Sequence, residues 1–558
     1  MKKSPSSKTT ILALLQGWIV ISIGFISQAR AAGRIVDAVP VLAVEDMIPG
    51  VTFGQVPYAE YRGRFVGSLT LPYDATGQDY TYDMPIWIIT PANLDDGSGT
   101  VVVDTFHTTA VTSTRPSGSE GEQPLGLKQL GPKFLFRQGK SGGPTARNYT
   151  WVGVRWDPRS LTTPFPKSRY DHVYEQRHGV QPGFIGAPSD RATEVGEAMV
   201  ADLADALRQG VFTVRDETEA KPFVSVKRLI AFGHSQVGFI LRQLLNDPPS
   251  AANGGGPHHV PLFDGWIIGG AKAAYDQWPT ISAADVVTPR APVIYDEPPD
   301  ALHGQVIEIA TEADIGKIRN PSPGNEFVRY GDTTSYRSYE IAGAQHFSWG
   351  FVAVNGLPSG AILLPDLADT LSELADISGV PEDYAIDVTD AFDCFETHPL
   401  LFANPLDWNP VVRAVMVAMG AWLEDGTPPP PSRWLIPAEG EARYGDASIK
   451  RDSVGNALGG IRLPDVGVGR GRFYAVSPDL PVPGGNVNAG AYFDLHHHFA
   501  NHGQYVRAFK FQARALFAAR LLLWDDYRAL LKSAIDSRVG FRQPLPVVAT
   551  PCQTRLRR

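Results

Sequence analysis

The chain has 558 residues, 43% hydrophobic and 20% charged, enough apolar material for a large core and too little charge for a disordered protein. Its formal net charge of -9 and the lack of any long Lys or Arg run exclude the basic field that collects phosphates, and with it nucleic acid as a partner. Cys394 and Cys552 are the only cysteines, too few for a disulfide scaffold, and sequence leaves their pairing open.

Residues 1–31 read as a cleaved signal peptide. Lys2, Lys3 and Lys8 precede the apolar segment ILALLQGWIVISIGF, and SQARAAG follows with Ala29 and Ala31 in the small-x-small arrangement of a signal-peptidase site. The competing reading is an uncleaved anchor, because the segment approaches bilayer length. No later stretch is as long and apolar, so the mature protein is expected to be secreted or periplasmic, with no stable membrane insertion after signal cleavage.

Residues 33–95 alternate short apolar runs with Gly and Pro turns, as in GRFVGSLTLP and MPIWIITP, which predicts antiparallel strands. TVVVDTF (100–106) and YTWVGVRW (149–156) are runs suited to strands buried on both faces. Asn148-Tyr149-Thr150 is a glycosylation sequon. Next, ATEVGEAMVADLADALRQG sets Val195, Met199, Leu203 and Leu207 on one helical stripe, with Gly210 to end it. Strand KRLIAF, helix VGFILRQLL and strands GWIIGGA (265–271), QVIEIAT (305–311) and YRSYEIAGA (336–344) follow. Such alternation predicts an α/β fold, a mostly parallel sheet with helices on both faces behind N-terminal antiparallel strands. Segment 350–405, helical around LPDLADTLSELADISG, is a candidate inserted cap. DGTPPPPSRW opens a stretch of Pro- and Gly-rich loops over 425–485. A C-terminal extension carries helices over 503–535, where YVRAFKFQARALFAARLLLWDDYRALLKSA reads as long and amphipathic. Residues 32–545 are taken as one domain and 546–558 as a tail.

In RLIAFGHSQVGFILRQLL a serine sits where a buried strand turns into a helix. A nucleophile elbow has this form: the turn lifts Oγ above the sheet, beside the helix N-terminus. The spacing here is G-x-S-x-x-G, with Gly233, Ser235 and Gly238, and Val237 stands where a smaller residue is usual. The competing reading is a serine N-cap without chemistry. A serine nucleophile needs an imidazole base and a carboxylate to orient it, in the chain order Ser, acid, His. Strand QVIEIAT runs into TEAD, offering Asp314 and Glu312, and strand YRSYEIAGAQH runs into His346. Loops leaving one edge of a parallel sheet are where such sites form. Asp314 lies further along its loop and Glu312 has the longer reach, so both remain candidates. His234 is expected to line the cleft. The backbone N–H of Gln236 is one oxyanion donor, and the second is sought around 106–108, at His107.

The phrases AFGHSQVGFILRQLLND, TEADI, YEIAGAQH, RAVMVAMGAWLEDGTPPPPSRW and GNALGGIRLPDV together resemble an exported α/β-hydrolase family. Its members carry a G-x-S-Q-x-G elbow and a C-terminal G-x-x-P-P-x-S-R segment. The resemblance spans about residues 55–535 and implies an alpha/beta-hydrolase fold, Ser235 as nucleophile, an acid in TEAD, His346 as base and no cofactor. The expected function is a serine esterase acting on a small-molecule or polymeric ester, with lactones and amides as variants. Phe347, Trp349 and Trp278 are candidates for setting substrate size.

Two other readings compete. DLHHHFANH contains His496, His497, His498 and His502, and the last two are four apart, which on a helix puts both imidazoles on one face for a metal-dependent hydrolase. No H-E-x-x-H pattern accompanies them, so no metal site is assigned. A non-catalytic binding protein on a degenerate hydrolase fold is the third reading, with Val237 as its only sign.

Overall fold

Short apolar runs that leave neither face for water become the middle of a ten-stranded sheet in the computed structural model. The described residues are 34–41, 57–70, 79–105, 125–136, 147–154, 190–209, 212–214, 225–246, 262–271, 304–316, 329, 331–348, 404–438, 449–475, 490–494, 499–537 and 539–540. The signal peptide, most of the cap segment, both cysteines and the tail lie outside them. Six strands form the parallel part: β4 (Thr100–Thr105), β5 (Thr150–Val154), β7 (Arg228–His234), β8 (Gly265–Gly269), β9 (Gln305–Thr311) and β10 (Tyr336–Ile341). Their order from one edge inward is β10-β9-β8-β7-β4-β5, every neighbour parallel. The antiparallel strands expected near the N-terminus are β1 (Arg34–Val41), β2 (Tyr58–Thr70) and β3 (Asp79–Pro91), joined on through β3 and β5. β6 (Phe212–Val214) lies beyond β1.

Alternate residues along each central strand feed two cores. Val101, Val103, Leu229 and Ala231 join Met199 and Leu203 of α3 (Asp190–Gln209) and Val237 and Leu241 of α4 (Gln236–Asn246). Val102, Ile230, Phe232 and Ile307 point the other way. There they meet Leu127 and Leu130 of α1 (Leu125–Leu130), beside the short α2 (Pro132–Leu135), and Val412 and Met416 of α6 (Asn409–Asp425). A pleated strand presents period-two faces, so helices on both sides are required to dry it. The short helix α5 (Glu312–Gly316) follows β9 directly.

The sequon asparagine is turned inward. Asn148 is buried and its amide nitrogen donates to the Asp96 carbonyl at 2.8 Å, so that nitrogen is spent inside the fold.

The proline-rich stretch runs along the edge of β10 opposite β9. Pro429 and Pro430 are buried, and the Pro430 carbonyl accepts from the Tyr339 hydroxyl at 2.6 Å. Ser432 Oγ accepts from Ser338 N, and Arg433 pairs in parallel with Tyr339. After a turn the chain returns, and Ile461 pairs in parallel with Ile341. Glu340, with no side-chain exposure, ties this strap down through Arg329 and the Leu435 N–H. The strap is followed by α7 (Pro464–Gly467) and the hairpin of β11 (Gly471–Tyr474) and β12 (Ala491–Asp494).

The long amphipathic stretch near the C-terminus is two helices, α8 (His502–Ala518) and α9 (Trp524–Asp536). Arg520 takes φ +60, and Leu521 and Leu522 are buried in different clusters. The break lies at the seam between these two clusters, which Leu516 of α8 also touches from both sides. No helix among the described residues is long and apolar enough to cross a membrane.

Candidate active site

Strand β7 ends at His234 and α4 begins at Gln236, leaving Ser235 alone at the corner with φ +60. A left-handed conformation is costly for a residue with a Cβ and persists only where its surroundings enforce it. Here the Ser235 N–H donates to the Gly269 carbonyl at 2.9 Å. The irregular glycine spacing also has a physical reason. A Cβ on Gly233 would sit 2.8 Å from Val237 Cγ1 and 2.7 Å from Leu241 Cδ1, so the bare backbone at 233 makes the room that Val237 fills. A Cβ on Gly238 would sit 2.6 Å from the Gly269 carbonyl, which is why the glycine lies one residue later, where α4 presses on β8.

His346 Nε2 lies 2.7 Å from Ser235 Oγ, and its Nδ1 lies 2.5 Å from Asp314 Oδ1. The imidazole and the carboxylate are 3% and 0% exposed, so the contact is shielded from competing water. The other Asp314 oxygen, Oδ2, accepts from Thr311 N and Thr311 Oγ1, both at 2.8 Å, while Asp314 N donates back to Thr311 Oγ1 at 3.3 Å. This reciprocal pair is a capping box at the start of α5. It leaves one carboxylate oxygen aimed at His346. Glu312, the other candidate acid, is turned elsewhere: Oε2 accepts from Gly343 N at 2.6 Å and Oε1 pairs with Arg451 at 2.9 Å. The T-x-x-D spacing of Thr311 and Asp314 is the sequence signal that distinguishes the two.

The turn bearing His346 is held from the distant segment 404–408. Asn404 Nδ2 donates to the carbonyls of Gly343 and Tyr474, and Gln345 Nε2 donates to those of Asn404 and Leu406. Trp408 Nε1 donates to the Gln345 carbonyl at 3.1 Å. None of these anchors was marked by a motif. Gly270, also missed, has φ +61, and a Cβ there would approach His234 Cε1 to 2.7 Å and His346 Cε1 to 2.9 Å.

The backbone N–H of Gln236 opens α4, where the first N–H groups have no partner within the helix. His107 lies outside the described residues, as do Trp278, Trp349, His496, His497 and His498. Phe347 packs on His346 with ring centroids 4.7 Å apart. His502 begins α8, its Nδ1 2.8 Å from the Val539 carbonyl and its Nε2 3.0 Å from that of Ile535, so both ring nitrogens face backbone carbonyls.

Residues 141–532 match a family model described as an alpha/beta hydrolase domain. No curated protein matches the chain in sequence. Solved structures of partial likeness include a brefeldin A esterase, described as a bacterial homologue of human hormone sensitive lipase, at 9% identity over 56% of this chain and 72% of that one, TM-score 0.22. The siderophore hydrolase EstA from Aspergillus nidulans shares 14% identity over 46% of this chain and 72% of its own, TM-score 0.22. The rice cell wall degrading esterase LipA from Xanthomonas oryzae shares 11% identity over 43% of this chain, TM-score 0.21, and the match spans 51% of LipA. Likeness this loose carries no functional assignment.

Proposed function

Since the chain belongs to the family of alpha/beta hydrolase domains, we propose that it is an exported serine hydrolase that cleaves carboxylic esters through an acyl-enzyme at Ser235. The observation that carries this reading is the unbroken line from Asp314 Oδ1 through the His346 ring to Ser235 Oγ, with spacings of 2.5 and 2.7 Å. Ser235 Oγ attacks the acyl carbon and its proton passes to His346 Nε2, while Asp314 accepts from Nδ1–H and stabilises the imidazolium. The Gln236 N–H holds the oxyanion at the helix N-terminus, with a second donor sought at 106–108 around His107. The alcohol departs with the proton from Nε2. Water then attacks the acyl group, giving its own proton to Nε2, and Ser235 recovers a proton as the acid leaves. Glu312 holds the turn that bears the base. No step calls on a cofactor. Export rests on the sequence of residues 1–31.

A fluorophosphonate probe on the purified protein is expected to label Ser235, and Ser235→Ala is expected to abolish labelling and lower hydrolysis of a short-chain aryl ester by at least roughly 10³-fold. Activity that persists in Ser235→Ala would remove the elbow as the site.

A further inference from the structure

His234, the residue directly before Ser235, is 2% exposed and lies inside the site, yet the proposed chemistry gives it no task. Its Nε2 is 3.0 Å from the His346 carbonyl oxygen. A carbonyl only accepts, so the proton of that bond belongs to His234 Nε2. The ring also supports the base from the side: its centroid is 4.8 Å from that of His346 and 5.4 Å from that of Trp408. The room for it is built in, because a Cβ on Gly269 would lie 2.7 Å from His234 Nδ1 and one on Gly270 would strike Cε1 of both histidines.

We propose that His234 is a positioning residue for the His346 base. One side chain, covalently next to the nucleophile, donates to the backbone of the base and backs its ring, and so fixes the approach of His346 Nε2 to Ser235 Oγ. This inference rests on the serine hydrolase reading. Its bland rival is a core histidine that fills space, and the two differ in what happens when ring and donor are separated. His234→Phe keeps the ring without the donor; His234→Gln keeps a donor nitrogen at similar reach without the ring.

The test measures kcat and KM on a short-chain aryl ester, per active site titrated with a fluorophosphonate, with thermal melts to verify folding. His234→Phe is expected to lower kcat about tenfold with KM unchanged within about twofold, the scale of one hydrogen bond lost from the geometry of reaction, and His234→Gln to recover kcat to within about threefold of the parent. A Phe variant with parental kcat per titrated site, or a Gln variant no better than Phe, overturns the proposal. Histidine-selective nitrogen-15 NMR of the unsubstituted protein gives a second readout that needs no variant to fold. The His234 resonances are expected to show the proton on Nε2, and an Nδ1–H tautomer overturns the proposal. A parent protein that neither labels at Ser235 nor cleaves esters sinks the serine reading itself, which separates that failure from this one.

Discussion

Asp104 is a carboxylate kept where a carboxylate is costly. It is 1% exposed on β4, its Oδ2 accepts from Leu127 N at 2.8 Å and Trp151 Nε1 at 3.2 Å, and burial still pushes its pKa up to about 7. The folded protein therefore holds the proton between the ordinary carboxylate range and about pH 7 while the unfolded chain releases it. This residue contributes stability at low pH that is lost as pH rises to about 7. Asp104→Asn is expected to escape that loss. In thermal melts from about pH 4 to about pH 9, the Tm of the variant relative to the parent should climb until about pH 7 and then level off, a gain on the order of 4 kcal/mol. A flat difference would refute it. Gly270→Ala carries a second expectation: a Cβ against both histidines should lower kcat by roughly 10²-fold, the scale of a misplaced catalytic group, read on the same aryl ester. Ser235 and His346 were legible because a strand-to-helix turn and chain order are written in sequence. Sequence leaves open which of Asp314 and Glu312 faces His346, because the T-x-x-D spacing that turns Asp314 towards it takes its meaning from the cap at the start of α5. Gly270 was not legible, since its need for no side chain comes from His234 and His346 arriving from other strands.

At the level of elements, the central strands were readable as apolar runs because both faces are buried, and period-two burial then split Val102 from Val101 and Val103. The elbow was readable only in outline. Val237 breaks the usual small-residue pattern, and its fit depends on the bare backbone at Gly233, a contact visible once α4 folds back over β7. Gly238→Ala is expected to push α4 away from the Gly269 carbonyl and cost about 1–3 kcal/mol, the usual range for overpacking, measured by denaturant unfolding; an unchanged midpoint would contradict the close contact. The break between α8 and α9 escaped the periodicity because each half is amphipathic by itself. The first ends where Arg520 turns left-handed, a conformation that no residue pattern in the stretch announces.

For the whole molecule, the strap over β10 closes a sheet edge that otherwise presents unpaired N–H and C=O groups. The sequence placed the prolines in loops within one domain, but composition says nothing about what lies beside them, and Pro429 and Pro430 prove to be buried. Glu340→Gln weakens the clamp from Arg329 and Leu435, and is expected to cost about 3–5 kcal/mol as a broken buried ion pair, seen as a lower Tm; a Tm equal to the parent would show that the strap does not depend on it. The order of synthesis gives this arrangement a further meaning. β10 is made long before residues 430–461 arrive to cover it, and the turn bearing His346 waits for Asn404 and Trp408 to pin it. Chains stopped before residue 426 are therefore expected to pellet on centrifugation, joined edge to edge, while the finished chain stays dispersed. The serine's corner is closed by Gly269, a near neighbour in sequence, whereas the turn bearing the histidine beside it is fastened only by the later-made Asn404 and Trp408.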